Sequence, residues 1–199
     1  MAETFDAIII GAGITGASTA YQVAQRGLRI ALLEKGSIGA SSTRKSSAII
    51  RQHYSNEVTA CMAYHSLQVF HNFKEFVGGE CSFVQTGFLV LTREEDLEGL
   101  RANVALQWRV GIETELLSVE DVRDRWPFLE TQDLVAAAYE PLSGHADPNL
   151  TLNSYVQAAR RLGVHLFQNN PATAIRLDSS KVVGVDTPRG GLRCSARSQ

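Results

Sequence analysis

The sequence predicts an α/β fold, and three features of the stretch from Phe5 to Glu34 carry that prediction. An apolar run at positions 7–10 is followed at once by a turn with glycines at 11, 13 and 16. A segment with helical spacing of its apolar residues comes next, and a second apolar run then ends in Glu34. Strand, glycine-rich turn, helix, strand and acid in this order are typical of a dinucleotide-binding unit in a parallel sheet.

Each glycine of the turn has its own predicted role. Gly11 lets the chain turn sharply out of the first strand, Gly13 leaves room for a pyrophosphate, and Gly16 lets the helix lie close to the strand. The helix begins near Ile14 and Thr15 and directs backbone N–H groups and its positive dipole end at the phosphates. An alternative is a βαβ unit whose glycines serve packing alone.

The acid at the end of the second strand argues against that alternative. Glu34 lies 18 residues after Gly16, close to the spacing at which an acid accepts hydrogen bonds from an adenosine ribose. Packing explains Gly16 but not Gly13 and Glu34 together. A 2′-phosphate would face the carboxylate, so the sequence favours FAD or NAD over NADP.

Composition limits the remaining function classes. The chain has 199 residues, 44% of them hydrophobic, and a formal net charge of -2, so nucleic acid and anionic membrane surfaces are not expected partners. It has neither an apolar run of membrane-spanning length nor a basic leader before the first strand, which predicts a cytoplasmic protein. Cys61, Cys81 and Cys194 are too scattered for a disulfide framework or a metal site and are expected to be isolated buried thiols.

A Gly/Ser/Thr-rich stretch follows Glu34 and extends to Ser47. It could be a flexible solvated linker. It leads directly into the apolar residues 48–50, however, and its hydroxyls and cations suit phosphates or a polar ring system. We therefore expect cofactor contacts from Lys35, Ser42, Thr43, Lys45, Ser46 and Ser47.

The rest of the chain alternates between helical and strand-like patterns. Helices are expected over 56–77 and 94–110, after a capping box at Ser118, and from Pro148 to about 162. His65 and His71 lie on the first of these without ligand partners and are read as surface or satisfied core residues. Strands are expected at 83–92, 134–139, 164–167, 172–177, 182–187 and 192–194, the last three as a meander that adds to the parallel sheet.

Four stretches resemble the FAD-dependent amine oxidoreductases of the D-amino-acid oxidase superfamily, and the sarcosine oxidase beta-subunit and dimethylglycine dehydrogenase-like branch most of all. They are DAIIIGAGITGASTAYQVAQRG with ALLEKG, GASSTRKSSAIIRQHYSNEVT, QTGFLVLT and GHADPNLTLNSYVQAARRLGV. The second stretch is the most diagnostic, because a plain dinucleotide-binding protein has no reason to carry it.

The resemblance implies a Rossmann-like FAD-binding domain with an inserted α+β substrate domain. The expected pieces are 1–80 and 146–199 for the FAD-binding domain and 81–145 for the substrate domain. The resemblance also implies that the chain near Ala172 touches adenine, and that Arg51 is an active-site residue beside the flavin. A surface ion pair is the alternative for Arg51.

Two departures from the resemblance matter. Arg44 stands where relatives usually carry something small, and the polar tail after Cys194 replaces a strand that relatives continue with. The sequence therefore predicts an incomplete N-terminal portion that retains FAD weakly and does not oxidise amines by itself.

Three functions remain open at this point. The first is an FAD-dependent oxidation of the C–N bond of a secondary or tertiary amino acid, with a possible partner subunit. The second is an NAD-dependent dehydrogenase, which leaves the Ser-rich stretch and Arg51 unexplained. The third is a non-catalytic nucleotide-binding module with a regulatory or assembly role.

Overall fold

The computed structural model describes residues 3–40 and 42–195. These residues divide into two compact units. The first unit comprises the described residues of Met1–Ser47, Lys74–Cys81 and Asp147–Gln199, and the second comprises Ala48–Phe73 and Ser82–Ala146.

Helices and strands alternate along the chain. The α-helices are α1 (Ile14–Ala24), α2 (Glu57–His71), α3 (Phe73–Val77), α4 (Leu97–Arg109), α5 (Val119–Arg125) and α6 (Pro148–Arg161). The strands are β1 (Thr4–Phe5), β2 (Ala7–Ile10), β3 (Ile30–Leu33), β4 (Ile49–Ile50), β5 (Phe88–Thr92), β6 (Glu115–Leu117), β7 (Ala136–Glu140), β8 (Gly144–His145), β9 (His165–Phe167), β10 (Ala174–Asp178), β11 (Lys181–Asp186) and β12 (Leu192–Cys194).

The first unit is built on a parallel sheet of order β2-β3-β9. Strand β3 is buried along its whole length, as expected of a central strand covered on both faces. Helices α1 and α6 meet over this sheet through a core that contains Ala17, Leu152 and Val156. Helix α6 begins as predicted, because the Asp147 side chain caps its N-terminus and proline occupies the first helical position. The predicted α/β class is confirmed.

The meander forms a sheet of its own rather than a continuation of the parallel sheet. Its order is β1-β12-β11-β10, and β1 pairs in parallel with β12. The chain bends at Asp6, whose carboxylate accepts the Arg29 N–H at 2.8 Å, and this bend separates β1 from β2. Phe5 and Val185 therefore share a core with Ala31 and Leu33 of the parallel sheet.

The second unit is built on an antiparallel sheet of order β5-β7-β6, together with a two-stranded ribbon of β4 and β8. Helix α4 packs on the sheet through Leu100 and Val104. Helix α5 packs through Val122, and the predicted capping box between Ser118 and Asp121 opens it.

Two predicted elements are shorter in the structure than in the sequence pattern. The predicted helix over 56–77 breaks at Asn72, whose backbone leaves the helical region at φ -116° and ψ 34°, so α2 and α3 are separate. The predicted strand over 83–92 begins only at Phe88, because Gly87 has a φ of +74° and Val84 pairs with His145 through an isolated bridge. Cys81 is buried as expected, but Cys194 is half-buried and Cys61 is exposed, so the expectation of three buried thiols is wrong for Cys61.

The compact units divide the chain differently from the predicted domain boundaries. Residues 48–73 fall in the predicted FAD-binding piece 1–80, yet they group with the second unit. The physical reason is that Ala60 of α2 shares a core with Leu106 and Ile112. Within the described part of the chain, no helix is both long and apolar enough to cross a membrane.

Candidate functional site

A cavity of about 560 Å³ lies in the first unit at the glycine-rich turn. The carboxyl ends of β2 and β3 border it, which is where ligands bind in open parallel sheets. Its lining residues are Ile9, Ile10, Gly11, Gly13, Ile14, Thr15, Gly16, Thr19, Glu34, Gly39, Ala40, Ser42, Thr43 and Ser46.

The three glycines of the turn are required for different reasons. Gly11 has a φ of +103°, an angle that residues with a side chain rarely adopt. A Cβ atom at Gly11 would have no described neighbour within 4 Å, so the backbone angle and not lack of space requires glycine here. At Gly16 a Cβ atom would overlap the Gly11 carbonyl oxygen, so this glycine lets α1 lie against the strand as predicted. At Gly13 a Cβ atom would lie 3.2 Å from the Thr43 hydroxyl, so this glycine also makes room for the loop after β3.

The N-terminus of α1 is suited to an anion. Its N-cap residue is Gly13, which has no side chain to cap the helix, and its first turn carries no acidic residue. The Thr43 hydroxyl accepts the Ile14 N–H at 3.1 Å. The positive dipole end of α1 therefore borders the cavity without a carboxylate in its first turn.

Glu34 holds the two loops of the cavity together. Its Oε2 atom accepts the Ala12 N–H at 2.9 Å, and its Oε1 atom accepts the Gly36 N–H at 2.9 Å. Each carboxylate oxygen has two lone pairs, so each can accept a further bond from a ligand hydroxyl. This clamp was missed by the sequence reasoning, because neither backbone N–H carries a sequence signal.

The loop after β3 packs against the glycine-rich turn, as a solvated linker would not. Thr43 is buried within a short 3-10 turn, Thr43–Lys45, and the Gly39 N–H donates to the Ala12 carbonyl at 3.3 Å. Thr43 therefore has a structural contact besides any contact with a ligand.

The predicted cofactor residues do not all meet at the cavity. Lys35, Lys45 and Ser47 are exposed and do not line it. Ala172 is half-buried against the core that contains Phe5 and Val185. The structure adds lining residues that the sequence reasoning missed: Ile9, Ile10, Thr19, Gly39 and Ala40. Thr19 could have been found, since it lies one helical turn after Thr15.

Arg51 lies in a second cavity, of about 310 Å³, in the second unit. Its guanidinium carbon stands 4.9 Å from the Tyr54 ring centroid and 5.7 Å from that of Phe88. Its Nη1 atom donates to the His53 carbonyl at 2.8 Å. Among residues 3–40 and 42–195, no carboxylate forms an ion pair with Arg51. The described residues therefore do not support the alternative that Arg51 belongs to a surface ion pair.

The fold and the first cavity define a dinucleotide-binding α/β protein. The particular family follows from comparison with known proteins: the family model for FAD dependent oxidoreductase (DAO) matches residues 6–197, and the chain belongs to this family. The predicted resemblance is confirmed, and FAD is the cofactor of the family.

Relatives of several kinds share the chain's sequence. The Pyruvate dehydrogenase phosphatase regulatory subunit, mitochondrial, of Mus musculus is 32% identical over 94% of this chain and 22% of its own length. The Sarcosine oxidase subunit beta of Rhodobacter capsulatus is 27% identical over 96% of this chain and 48% of its own length. The Dimethylglycine dehydrogenase, mitochondrial, of Rattus norvegicus is 27% identical over 96% of this chain and 22% of its own length.

Solved structures share the fold. L-proline dehydrogenase from P. horikoshii has a TM-score of 0.88 at 27% identity and covers 98% of this chain and 52% of its own. L-amino acid deaminase from Proteus myxofaciens has a TM-score of 0.85 at 22% identity and covers 98% of this chain and 45% of its own. The chain thus spans about half the length, or less, of the relatives it matches.

Proposed function

We propose that the first cavity holds the ADP portion of FAD. The observation that supports this best is the combination of an acid-free helix N-terminus with an acid at the far side of the cavity. An anion fits the first and ribose hydroxyls fit the second. The family match, which favours FAD over NAD, points the same way.

Eight of the residues that line the cavity have a proposed part in cofactor binding. The backbone of Gly11, Gly13, Ile14, Thr15 and Gly16 faces the pyrophosphate, and Glu34 accepts from the ribose. The hydroxyls of Ser42 and Ser46 reach the rest of the cofactor. Lys35, Lys45, Ser47 and Ala172 remain predicted contacts that the cavity lining does not include.

We further propose that the protein oxidises the C–N bond of a secondary or tertiary amino acid. When bound, the flavin would supply the acceptor for a hydride from the carbon next to nitrogen, and water would hydrolyse the resulting imine, or the iminium ion in the case of a tertiary amine. The part of this chain is to bind and orient the substrate. The names of the sarcosine and dimethylglycine relatives support this substrate class.

Arg51 is the proposed partner of the substrate carboxylate. Its cavity is lined mainly by apolar side chains, including Ile49, Ile50 and Phe70, and Arg51 is the cation among its lining residues. The Thr59 hydroxyl donates to the carbonyl of Asn56, the N-cap of α2, at 3.2 Å, and the Ser66 hydroxyl donates to the Met62 carbonyl at 2.8 Å. A small molecule with one carboxylate and an apolar remainder fits this arrangement, because a planar guanidinium binds a carboxylate through two parallel bonds.

The test is anaerobic mixing of the native protein that carries this sequence with sarcosine, dimethylglycine and L-proline. We expect loss of the visible absorbance of oxidised flavin with at least one amine. A flavin that stays oxidised with every amine would contradict the proposed reaction. For the isolated 199-residue chain we expect weak flavin retention and no bleaching, since the chain spans about half of its relatives.

A non-catalytic role is the second candidate function. The observation that favours it is the 32% identity to a mouse relative that is named as a regulatory subunit. Retention of FAD without amine-dependent bleaching would select this role. A partner subunit, suggested by the name of the Rhodobacter capsulatus relative, would be detected by co-purification.

A further inference from the structure

The side chain of Glu140, at the end of β7, is completely buried in the second unit. A buried carboxylate is costly unless hydrogen bonds satisfy its oxygens. None of the roles proposed above uses Glu140. Its surroundings therefore need a separate explanation.

Glu140 accepts three hydrogen bonds, and one of them comes from Gln52, the residue after Arg51. Its Oε2 atom accepts the Gln52 backbone N–H at 2.8 Å and the Ser143 hydroxyl at 2.8 Å. Its Oε1 atom accepts the Gln107 Nε2–H at 2.9 Å and lies 3.6 Å from His53 Nδ1.

Gln107 of α4 holds the same segment from the other side. It is completely buried, and its Nε2 atom lies 3.3 Å from the Gln52 carbonyl oxygen and 3.1 Å from His53 Nδ1. Between them, the Glu140 and Gln107 side chains bind both the N–H and the C=O of Gln52. This pairing replaces what a neighbouring strand would supply.

The segment that these side chains hold has no regular structure of its own. Residues 51–54, the Arg51 segment, lie between β4 and α2 and belong to no helix or strand. The Arg51 side chain folds back onto its own segment, because its guanidinium donates to the His53 carbonyl at 2.8 Å. The direction of the guanidinium therefore depends on where Gln52 and His53 are held.

We infer that Glu140 and Gln107 are positioning residues that fix the Arg51 segment and so aim Arg51 into its cavity. The inference rests on the proposed role of Arg51 in binding a carboxylate. Both residues act through the backbone, and their own side chains do not line the cavity. Specificity for the substrate carboxylate then depends on two buried side chains from distant parts of the chain.

The perturbation that tests this is Glu140→Gln, which keeps the size of the side chain but replaces one oxygen with a donor. In one orientation the new amide faces the Gln107 amide donor, and in the other it faces the Gln52 N–H. In the second orientation the Gln52 N–H loses its acceptor. In the first, the two facing donors are relieved by a flip of the Gln107 amide, which turns its oxygen toward the Gln52 carbonyl and removes that bond. Thr131→Val is the matched control, because Thr131 is also buried and accepts a bond at 2.9 Å from Arg123, away from the Arg51 segment.

The measurement is the backbone amide order parameter of Arg51 and His53 by NMR relaxation of the 199-residue chain. We expect values of about 0.85 in the wild type and in Thr131→Val, and below about 0.6 in Glu140→Gln. A folded Glu140→Gln chain with wild-type order parameters at both amides would overturn the inference. If circular dichroism shows that Glu140→Gln does not fold, Gln107→Leu is measured by the same criterion, since it removes the donor to the Gln52 carbonyl.

This experiment needs neither flavin nor substrate. Its failure is therefore distinct from failure of the proposed oxidation, which is read from amine-dependent bleaching of the native protein. Ordered amides in every folded variant would remove the positioning role and leave the proposed reaction intact.

Discussion

The close approach of α1 to its strand predicts that Gly16→Ala destabilises the first unit. The new Cβ atom would overlap the Gly11 carbonyl oxygen and would also lie 3.1 Å from the Gly11 carbonyl carbon and 3.4 Å from Ile9 Cγ2. Two of these three neighbours are backbone atoms, which cannot turn away as a flexible side chain can. The helix must therefore move outward or the turn must deform.

The size of the effect is a difference between two contributions. Overpacking of this kind costs about 1–3 kcal/mol, and a backbone neighbour favours the upper part of that range. Alanine is better than glycine in a helix by about 0.8–1.0 kcal/mol. We expect a net loss of about 1–2 kcal/mol in the free energy of unfolding.

Urea unfolding followed by circular dichroism measures this loss, and Gly99→Ala is the matched control. A Cβ atom at Gly99 meets no described atom within 4 Å, and Gly99 lies within α4, so its replacement should leave stability equal or raise it. FAD titration of both variants is a second measurement. A displaced α1 would move its N-terminal N–H groups away from the phosphates, so the FAD affinity of Gly16→Ala should fall. A Gly16→Ala chain as stable as the wild type, with the same FAD affinity, would refute the close-approach argument.

Three further predictions concern single side chains. Glu34→Ala should weaken FAD binding by roughly 1.5–3 kcal/mol, and Glu34→Gln by less, because the amide keeps one acceptor oxygen; equal dissociation constants in a titration series would count against the ribose contact. Arg51→Lys in the native protein should raise KM for an N-methyl amino acid by a factor equivalent to about 1.5 kcal/mol or more, and FAD affinity should not change. An unaltered kcat/KM would exclude the proposed binding of the substrate carboxylate by Arg51. Hydrogen bonds from the Ser118 hydroxyl and backbone N–H lower the pKa of Asp121. The capping box therefore contributes its full stability above the ordinary carboxyl pKa and loses it as pH falls through the lowered pKa. Ser118→Ala should reduce this loss of stability at acid pH in a pH series of unfolding curves.

The sequence predicted the local parts of the cofactor cavity and missed its long-range bonds. The β2-α1-β3 unit follows from periodicity and glycine spacing, which are properties of neighbouring residues. The hydrogen bond from the Ile14 N–H to the Thr43 hydroxyl joins positions 29 residues apart, and no local sequence pattern predicts it. The same holds for the Glu34 clamp.

Element boundaries were missed where one backbone angle overrides an apolar pattern. Gly87 has a positive φ just before β5, and Asn72 leaves the helical region between α2 and α3. The apolar spacing on either side continues through both positions, so periodicity alone predicts longer elements. Lys45, predicted from its charge, and Lys35, implied by the family resemblance, lie outside the cavity lining and stay predictions, because side-chain direction in a loop has no sequence signal.

Competition binding on the 199-residue chain, at chain concentrations high enough to populate the weak FAD complex, tests the central claim most directly. FAD bound to the chain is detected by quenching of its fluorescence and is then challenged with ADP and with 2′-phospho-ADP, which differs from ADP only by a phosphate on the 2′-hydroxyl. We predict that ADP displaces FAD and that the 2′-phosphorylated nucleotide does not, because Glu34 would face its 2′-phosphate. Equal displacement by both nucleotides, or FAD binding that ADP leaves unchanged, would contradict the assignment of this cavity to the ADP portion of FAD.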